Sequence, residues 1–255
     1  MGKKNTEFPP LLLAALSLLL LTGGWLMASF PLLVFVGISP LLALSEPRDS
    51  EGSIFEKMEL VLIALTAPLV IHALVRDASV VTALGMGIVY TLSFVAHAWV
   101  RQTLGVRTGK ITLILFWLAL EYAVLKAIPA QGIFLADTLA LQPDWTRWTI
   151  HTGYLGTSLW IIAVNWCWYL TFLQPKGIQW AWLGAGLLFL FAPAAYSYSL
   201  NHSPIARDQM INFYRNLPTE ADVTYLARGE LMVRTAAWLS ILILLFTFVR
   251  QQIRK

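Results

Sequence analysis

The chain has 255 residues, of which 58% are hydrophobic and only 13% charged, with a formal net charge of +4. Soluble domains carry about 25% charged residues, so a surface facing water all round is excluded and lipid is expected to cover most of it. The positive charge calls for no nucleic acid: no basic patch suited to one occurs, and cationic loops beside anionic headgroups account for it.

A membrane-crossing helix needs about 20 mainly apolar residues. On that criterion the sequence predicts an all-α, polytopic bundle of about eight spans, near 10-28, 30-45, 57-75, 80-99, 110-128, 150-173, 179-198 and 231-249, forming one transmembrane domain over 1-255. The opening, Lys3 and Lys4 before a leucine run, has the outline of a signal peptide. It reads better as a first span, because no small-residue cleavage site follows and more spans come after it. The first two spans are short and share Gly23, Gly24 and Pro31, which suits a tight helical hairpin. Residues 45-57 (SEPRDSEGSIFEK) are rich in turn formers and predict a loop. Residues 129-149 are half apolar and predict a re-entrant or interfacial helix, with Trp145 and Trp148 at headgroup level. Residues 199-230 form the longest polar stretch, too short for an independent domain.

Loop Lys and Arg set the orientation of a bundle. With an even span count and a cytoplasmic N-terminus, Lys3, Lys4, Arg48, Lys57, Arg101, Arg107, Lys110, Lys176, Arg250, Arg254 and Lys255 fall inside. Arg76, Lys126, Arg147, Arg207, Arg215, Arg228 and Arg234 fall outside, so the bias places both termini in the cytoplasm. Of the 11 tryptophans, Trp25, Trp99, Trp145, Trp148, Trp180, Trp182 and Trp238 sit near span ends, as aromatic belts do. Trp160, Trp166 and Trp168 lie inside the sixth span, where they suit packing or contact with an acyl chain.

The single cysteine, Cys167, rules out an intrachain disulfide and a multi-thiolate metal site, and it reads as a packing residue within an apolar helix. No phosphate-binding glycine loop and no His pair at metal-binding spacing occurs, so the sequence implies no cofactor and no metal. Glu121 is an ionisable residue inside a span, with Lys126 near that span's outer end. Such groups either contact a headgroup or partner helix or fix the bundle through an interhelical bond, and the second reading is favoured here. His72 and His97 read as interfacial or hydrogen-bonded core residues.

The outer face gathers Arg147 and His151 from one side and His202, Arg207, Asp208, Arg215, Arg228 and Glu230 from the loop opposite. Arginines there suit a phospholipid phosphate, over an aromatic floor of Trp145, Trp148 and Tyr154. The plainer alternative is loop solvation, with Glu230 and Arg234 paired at i, i+4 spacing. A dyad of His151 or His202 with Asp208 has the chemistry for acyl transfer, but nothing in the sequence brings the two together.

From Trp148 the chain reads WTIHTGYLGTSLWIIAVNWCW, and this resembles the membrane domain of bacterial apolipoprotein N-acyltransferases. Thr152, Gly153, Gly156, Ser158 and Asn165 match that family's T-G-x-x-G-x-S run and later Asn. Residues 30-44 (FPLLVFVGISPLLAL) resemble its second span, 117-122 (WLALEY) its fifth, and 224-234 (TYLARGELMVR) the segment before its last, with Glu230 in place of the usual Asp. The resemblance runs in order along nearly the whole chain.

It implies a bacterial inner-membrane protein concerned with lipoprotein biosynthesis. In that family a nitrilase-fold domain with a Glu-Lys-Cys triad follows the seventh span. Here that place holds only 199-230, without cysteine or lysine. The expectation is therefore a scaffold that is non-catalytic alone, binding phospholipid or lipoprotein or serving as a subunit beside a partner protein. The first alternative is an acyltransferase working through outer-face residues or a nitrilase subunit in trans. The second, a lipid or solute transporter, is disfavoured by the few charges inside the spans.

Overall fold

A computed structural model describes residues 8–27, 31–46, 54–105, 111–128, 133–174, 178–205, 207–209 and 223–253, the side chains of 54–56 and 223–228 excepted. The basic residues Lys3, Lys4, Arg48, Arg107, Lys110, Lys176, Arg215, Arg254 and Lys255 and the side chain of Arg228 lie outside the described residues.

Among the described residues the chain is all helix and connecting turn. The helices are α1 (Pro10–Leu26), α2 (Val34–Gly37), α3 (Ser39–Leu44), α4 (Ile54–Val75), α5 (Val80–Leu104), α6 (Thr112–Ala127), α7 (Gly156–Trp168), α8 (Trp180–Tyr198) and α9 (Val223–Ile253). A π-helical turn, Tyr169–Leu173, extends α7, and four 3-10 turns occupy Pro31–Leu33, Leu135–Leu139, Pro143–Trp145 and Arg147–Ile150. Among the described residues, five helical stretches are long and apolar enough to cross a membrane: 57–75, 80–104, 156–173, 180–198 and 229–253. The stretches 10–26 and 31–44 are shorter apolar helices, and α6 has 16 residues.

Burial orders the bundle. The stretch 156–173 is 72% buried, whereas 180–198 is 11% and 229–253 is 22% buried, so α7 is central and α8 and α9 are peripheral. The outer helices expose Leu188, Phe191, Leu242, Phe246 and Phe248. Apolar surface on that scale is stable only against lipid or another apolar body. The chain is a membrane protein.

The expected hairpin of the first two segments forms by close approach. A Cβ on Gly37 would lie 2.7 Å from Leu21 and one on Gly24 3.0 Å from Val34, and the Ser17 hydroxyl donates to the Gly37 carbonyl. The second segment is not one helix but breaks at Ile38, because Pro40 has no N–H for the Val36 carbonyl. The Ser39 hydroxyl donates to that carbonyl instead, at 2.7 Å. Asn165, fully buried on α7, completes the repair. Its Oδ1 accepts from the Ile38 and Ser39 N–H groups at 2.8 and 3.0 Å, and its Nδ2 donates to Val34 and Ile161 carbonyls at 2.8 Å each. One amide thus satisfies a helix break buried away from water.

Polar side chains collect at the two ends of the bundle. At one end Arg101 pairs with Glu46 at 3.0 Å, the Tyr169 hydroxyl donates to the same carboxylate, and Trp99 Nε1 donates to Gln251 at 3.3 Å. His97, fully buried nearby, holds Nδ1 against Thr112 Oγ1 at 2.7 Å. The other end carries the turns between α6 and α7 and the chain that follows α8.

Candidate functional site

The turns that join α6 to α7 enter the bundle rather than lying on its surface. Phe134, Leu135, Ala136 and Leu139 are buried, so of the two expected forms, re-entrant or interfacial, the segment takes the inserted one, as short 3-10 turns rather than one helix. Non-helical backbone survives inside a membrane bundle only where protein satisfies its polar groups. Three helices do so. The Leu135 N–H donates to Glu121 Oε1 at 2.8 Å, the Ala136 N–H to Ser158 Oγ at 3.1 Å, and the Ile133 carbonyl accepts from the Tyr90 hydroxyl at 2.9 Å. The same Tyr90 hydroxyl lies 2.8 Å from Glu121 Oε1, its one proton shared between the two acceptors, and its ring stacks on Trp117, centroids 4.2 Å apart. Glu121 is fully buried. It anchors the inserted segment, and Lys126 has a different partner, Glu230, at 3.1 Å.

Asp137 closes the turn on itself, its Oδ2 accepting from the Phe134 N–H at 2.8 Å. It then links outward: the Tyr154 hydroxyl donates to Oδ1, and Arg207 pairs with Oδ2 at 3.1 Å. The Arg207 guanidinium also lies 5.3 Å from the Phe134 ring centroid, a cation–π distance. Burial holds the Asp137 carboxyl above the usual carboxylate range, against the pull of Arg207 and the Tyr154 hydroxyl. Burial, reinforced by the Asp137 charge, pushes the Tyr154 phenol well up, which keeps it a hydrogen-bond donor.

These groups border a cavity of about 490 Å³. Its titratable lining is His72, Asp137, Tyr154 and Arg207, and the rest includes Ile133, Leu139, Pro143 and Ile205. The size falls within the ~300–1,000 Å³ of small-molecule sites, and a mostly apolar wall with a few convergent polar groups is their usual composition. Ile205 is held over the cavity by its N–H, which donates to Thr149 Oγ1 at 3.2 Å.

The residues read as an outer-face cluster divide between this cavity and its flank. Tyr154 and Arg207 line the cavity, whereas Trp145, Arg147, Trp148 and His151 brace α8. Arg147 donates to the Leu200 carbonyl at 2.9 Å and pairs with Asp144. The buried Ser197 hydroxyl donates to the Trp145 carbonyl at 2.9 Å and accepts from the Trp148 N–H at 3.1 Å. Trp148 packs edge-on against Trp160. His151 stacks on Tyr196, with Nε2 3.2 Å from its hydroxyl, and His202 is exposed. Glu230 accepts from Tyr122 at 2.9 Å and pairs with Lys126, across to α6 rather than along its own helix to Arg234, which is exposed. Cys167 is buried beside Gly186.

Three residues of the cavity wall, Asp137, Pro204 and Ile205, are not among those the sequence singles out. Asp137 had a signal: a lone acid in the apolar run FLADTLAL, where only a specific partner makes a carboxylate tolerable. Among the described residues no three His, Cys, Asp or Glu side chains gather as a metal site. No family model matches the chain, and no curated protein and no solved structure matches it either.

Proposed function

We propose that this chain is a lipid-binding membrane scaffold of the apolipoprotein N-acyltransferase type, non-catalytic by itself, that receives a phospholipid or lipoprotein lipid at its outer mouth. In this reading the eight helical segments all cross a bacterial inner membrane, both termini are cytoplasmic, and the cavity end faces outward. The observation that carries it is the cavity of about 490 Å³ bordered by the Arg207–Asp137 pair, an apolar chamber with one guanidinium at its wall. Arginine recognises phosphate bidentately, and the adjoining apolar walls suit the upper part of an acyl chain. Among the described lining residues there is no cysteine, the nucleophile of that family: Tyr154 holds its proton toward Asp137 and Cys167 belongs to α7. Catalysis would therefore come from a partner subunit.

The test is native mass spectrometry of protein extracted with phosphatidylglycerol. Arg207→Ala is expected to shed bound lipid that wild type retains; equal retention sinks the site. Transfer of an acyl chain from phospholipid to an apolipoprotein peptide by the purified chain alone would overturn the non-catalytic part.

A further inference from the structure

A second cavity, of about 680 Å³, lies between α5, α6 and α9 and is separate from the cavity of Asp137 and Arg207. Its floor is small, with Ala96, Ala119 and Ala237 half-buried, and its rim is branched, with Leu92 and Ile241 half exposed. The polar groups in its lining are turned to protein partners. The Tyr122 hydroxyl donates to Glu230, Ser240 Oγ to the Ala236 carbonyl at 2.8 Å, and Trp99 Nε1 to Gln251. What faces the slot is hydrocarbon.

One end differs. Lys126 lines the slot at the end of α6, and its side chain is 48% exposed although its ammonium pairs with Glu230, whose own side chain is only 19% exposed. Glu230 thus fixes the ammonium over the slot's mouth, where a phosphate oxygen would meet it. From Phe116 to Lys126, the lining residues farthest apart on α6, the helix rises about 15 Å at 1.5 Å per residue. That is about one leaflet of a ~30 Å hydrocarbon core.

We propose that this slot is a specific lipid site, seating one acyl chain of a phospholipid whose phosphate meets Lys126. The length, the alanine floor and the single charge at one end match a headgroup-anchored chain. A helix ~10–12 Å across with its side chains would stand clear of an alanine floor set between branched walls. The proposal is independent of the reading given for the other cavity, because it shares no lining residue with it.

The probe is phosphatidylglycerol carrying a diazirine on its acyl chain, with the full chain in nanodiscs. The chain is expected to cross-link within α5, α6 and α9 around Ala119 and Ala237, and to retain one phospholipid after delipidation by native mass spectrometry, all retention being read in the Arg207→Ala background so that the other cavity contributes none. Ala123→Trp places an indole in the slot from an exposed position and is expected to remove both signals. Ile88→Trp, 53% exposed on α5 outside the slot, is expected to leave both. Lys126→Ala is expected to weaken retention about fivefold. Cross-links spread evenly over all apolar faces, or retention unchanged in Ala123→Trp, would overturn the site. So would a mass showing a second polypeptide in the slot's place.

Discussion

Gly153 and Gly229 touch backbone to backbone, joining the turn before α7 to the second turn of α9. A Cβ on Gly229 would lie 2.4 Å from the Gly153 Cα, and one on Gly153 would lie 2.6 Å from the Gly229 Cα. Gly153 also has φ +75, in the left-handed region that favours glycine. The two glycines belong to segments far apart in sequence, yet neither tolerates a side chain because of the other.

Gly153→Ala is accordingly expected to destabilise the bundle by about 2–4 kcal/mol, from left-handed strain plus a backbone clash. Gly85→Ala, on α5 with nothing within 4 Å of its added Cβ, should be neutral or slightly stabilising. Thermal unfolding in detergent micelles checks the pair, and equal shifts for both would contradict the packing argument.

Asn165→Leu keeps the branching of the side chain and removes the amide. Two buried N–H groups, those of Ile38 and Ser39, then lose their acceptor, at about 1–3 kcal/mol each. The expected result is a loss of about 2–5 kcal/mol, with hydrogen exchange rising first at residues 38 and 39. Protection there that stays as in wild type would mean the helix break supports itself.

Glu121→Gln retains an acceptor for the Leu135 N–H, whereas Glu121→Leu leaves that N–H without one and the Tyr90 hydroxyl with the Ile133 carbonyl alone. Limited proteolysis should therefore cut Glu121→Leu within 133–139 while Glu121→Gln resists like wild type. Cleavage of both at equal rates would show that the charge itself, not the acceptor, holds the segment.

Asp137 gives a pH dependence whose sign follows from its burial. Its folded pKa is raised, so its stabilising contribution is full below the unfolded carboxyl value and is lost as pH rises through the folded one. Arg207→Gln removes the compensating charge and should steepen that loss, while Asp137→Asn should abolish it. Unfolding temperatures followed from acid to neutral pH check this; a wild type that gains stability over the same window through this residue would refute it.

Much of the architecture was legible because composition alone dictates where a chain can enter lipid. The helical segments fall where the apolar runs lie, including the hairpin around Gly24 and Gly37. The boundary of α7 was not: Thr149 to Tyr154 look apolar enough to continue a helix, but Gly153 takes a left-handed turn there. Partners were harder still. Glu230 has Arg234 at helical spacing, yet Lys126 lies closer across the α6 and α9 interface. The motif residues that suggested a family, Gly153, Ser158, Asn165 and Glu121, all sit at joints of the fold. A pattern of that kind marks how helices meet, and it leaves open what the mouth of the bundle holds.

The buried carboxylate of Glu121 also bears on how the chain enters the bilayer. A charge near mid-membrane is costly for a helix inserting alone. Tyr90 precedes it in the chain and offers one hydroxyl as α5 and α6 meet, but the Leu135 N–H emerges only after α6 is complete. Insertion of α6 as half of a hairpin with α5, completed once residue 135 has been made, would supply both partners to that carboxylate.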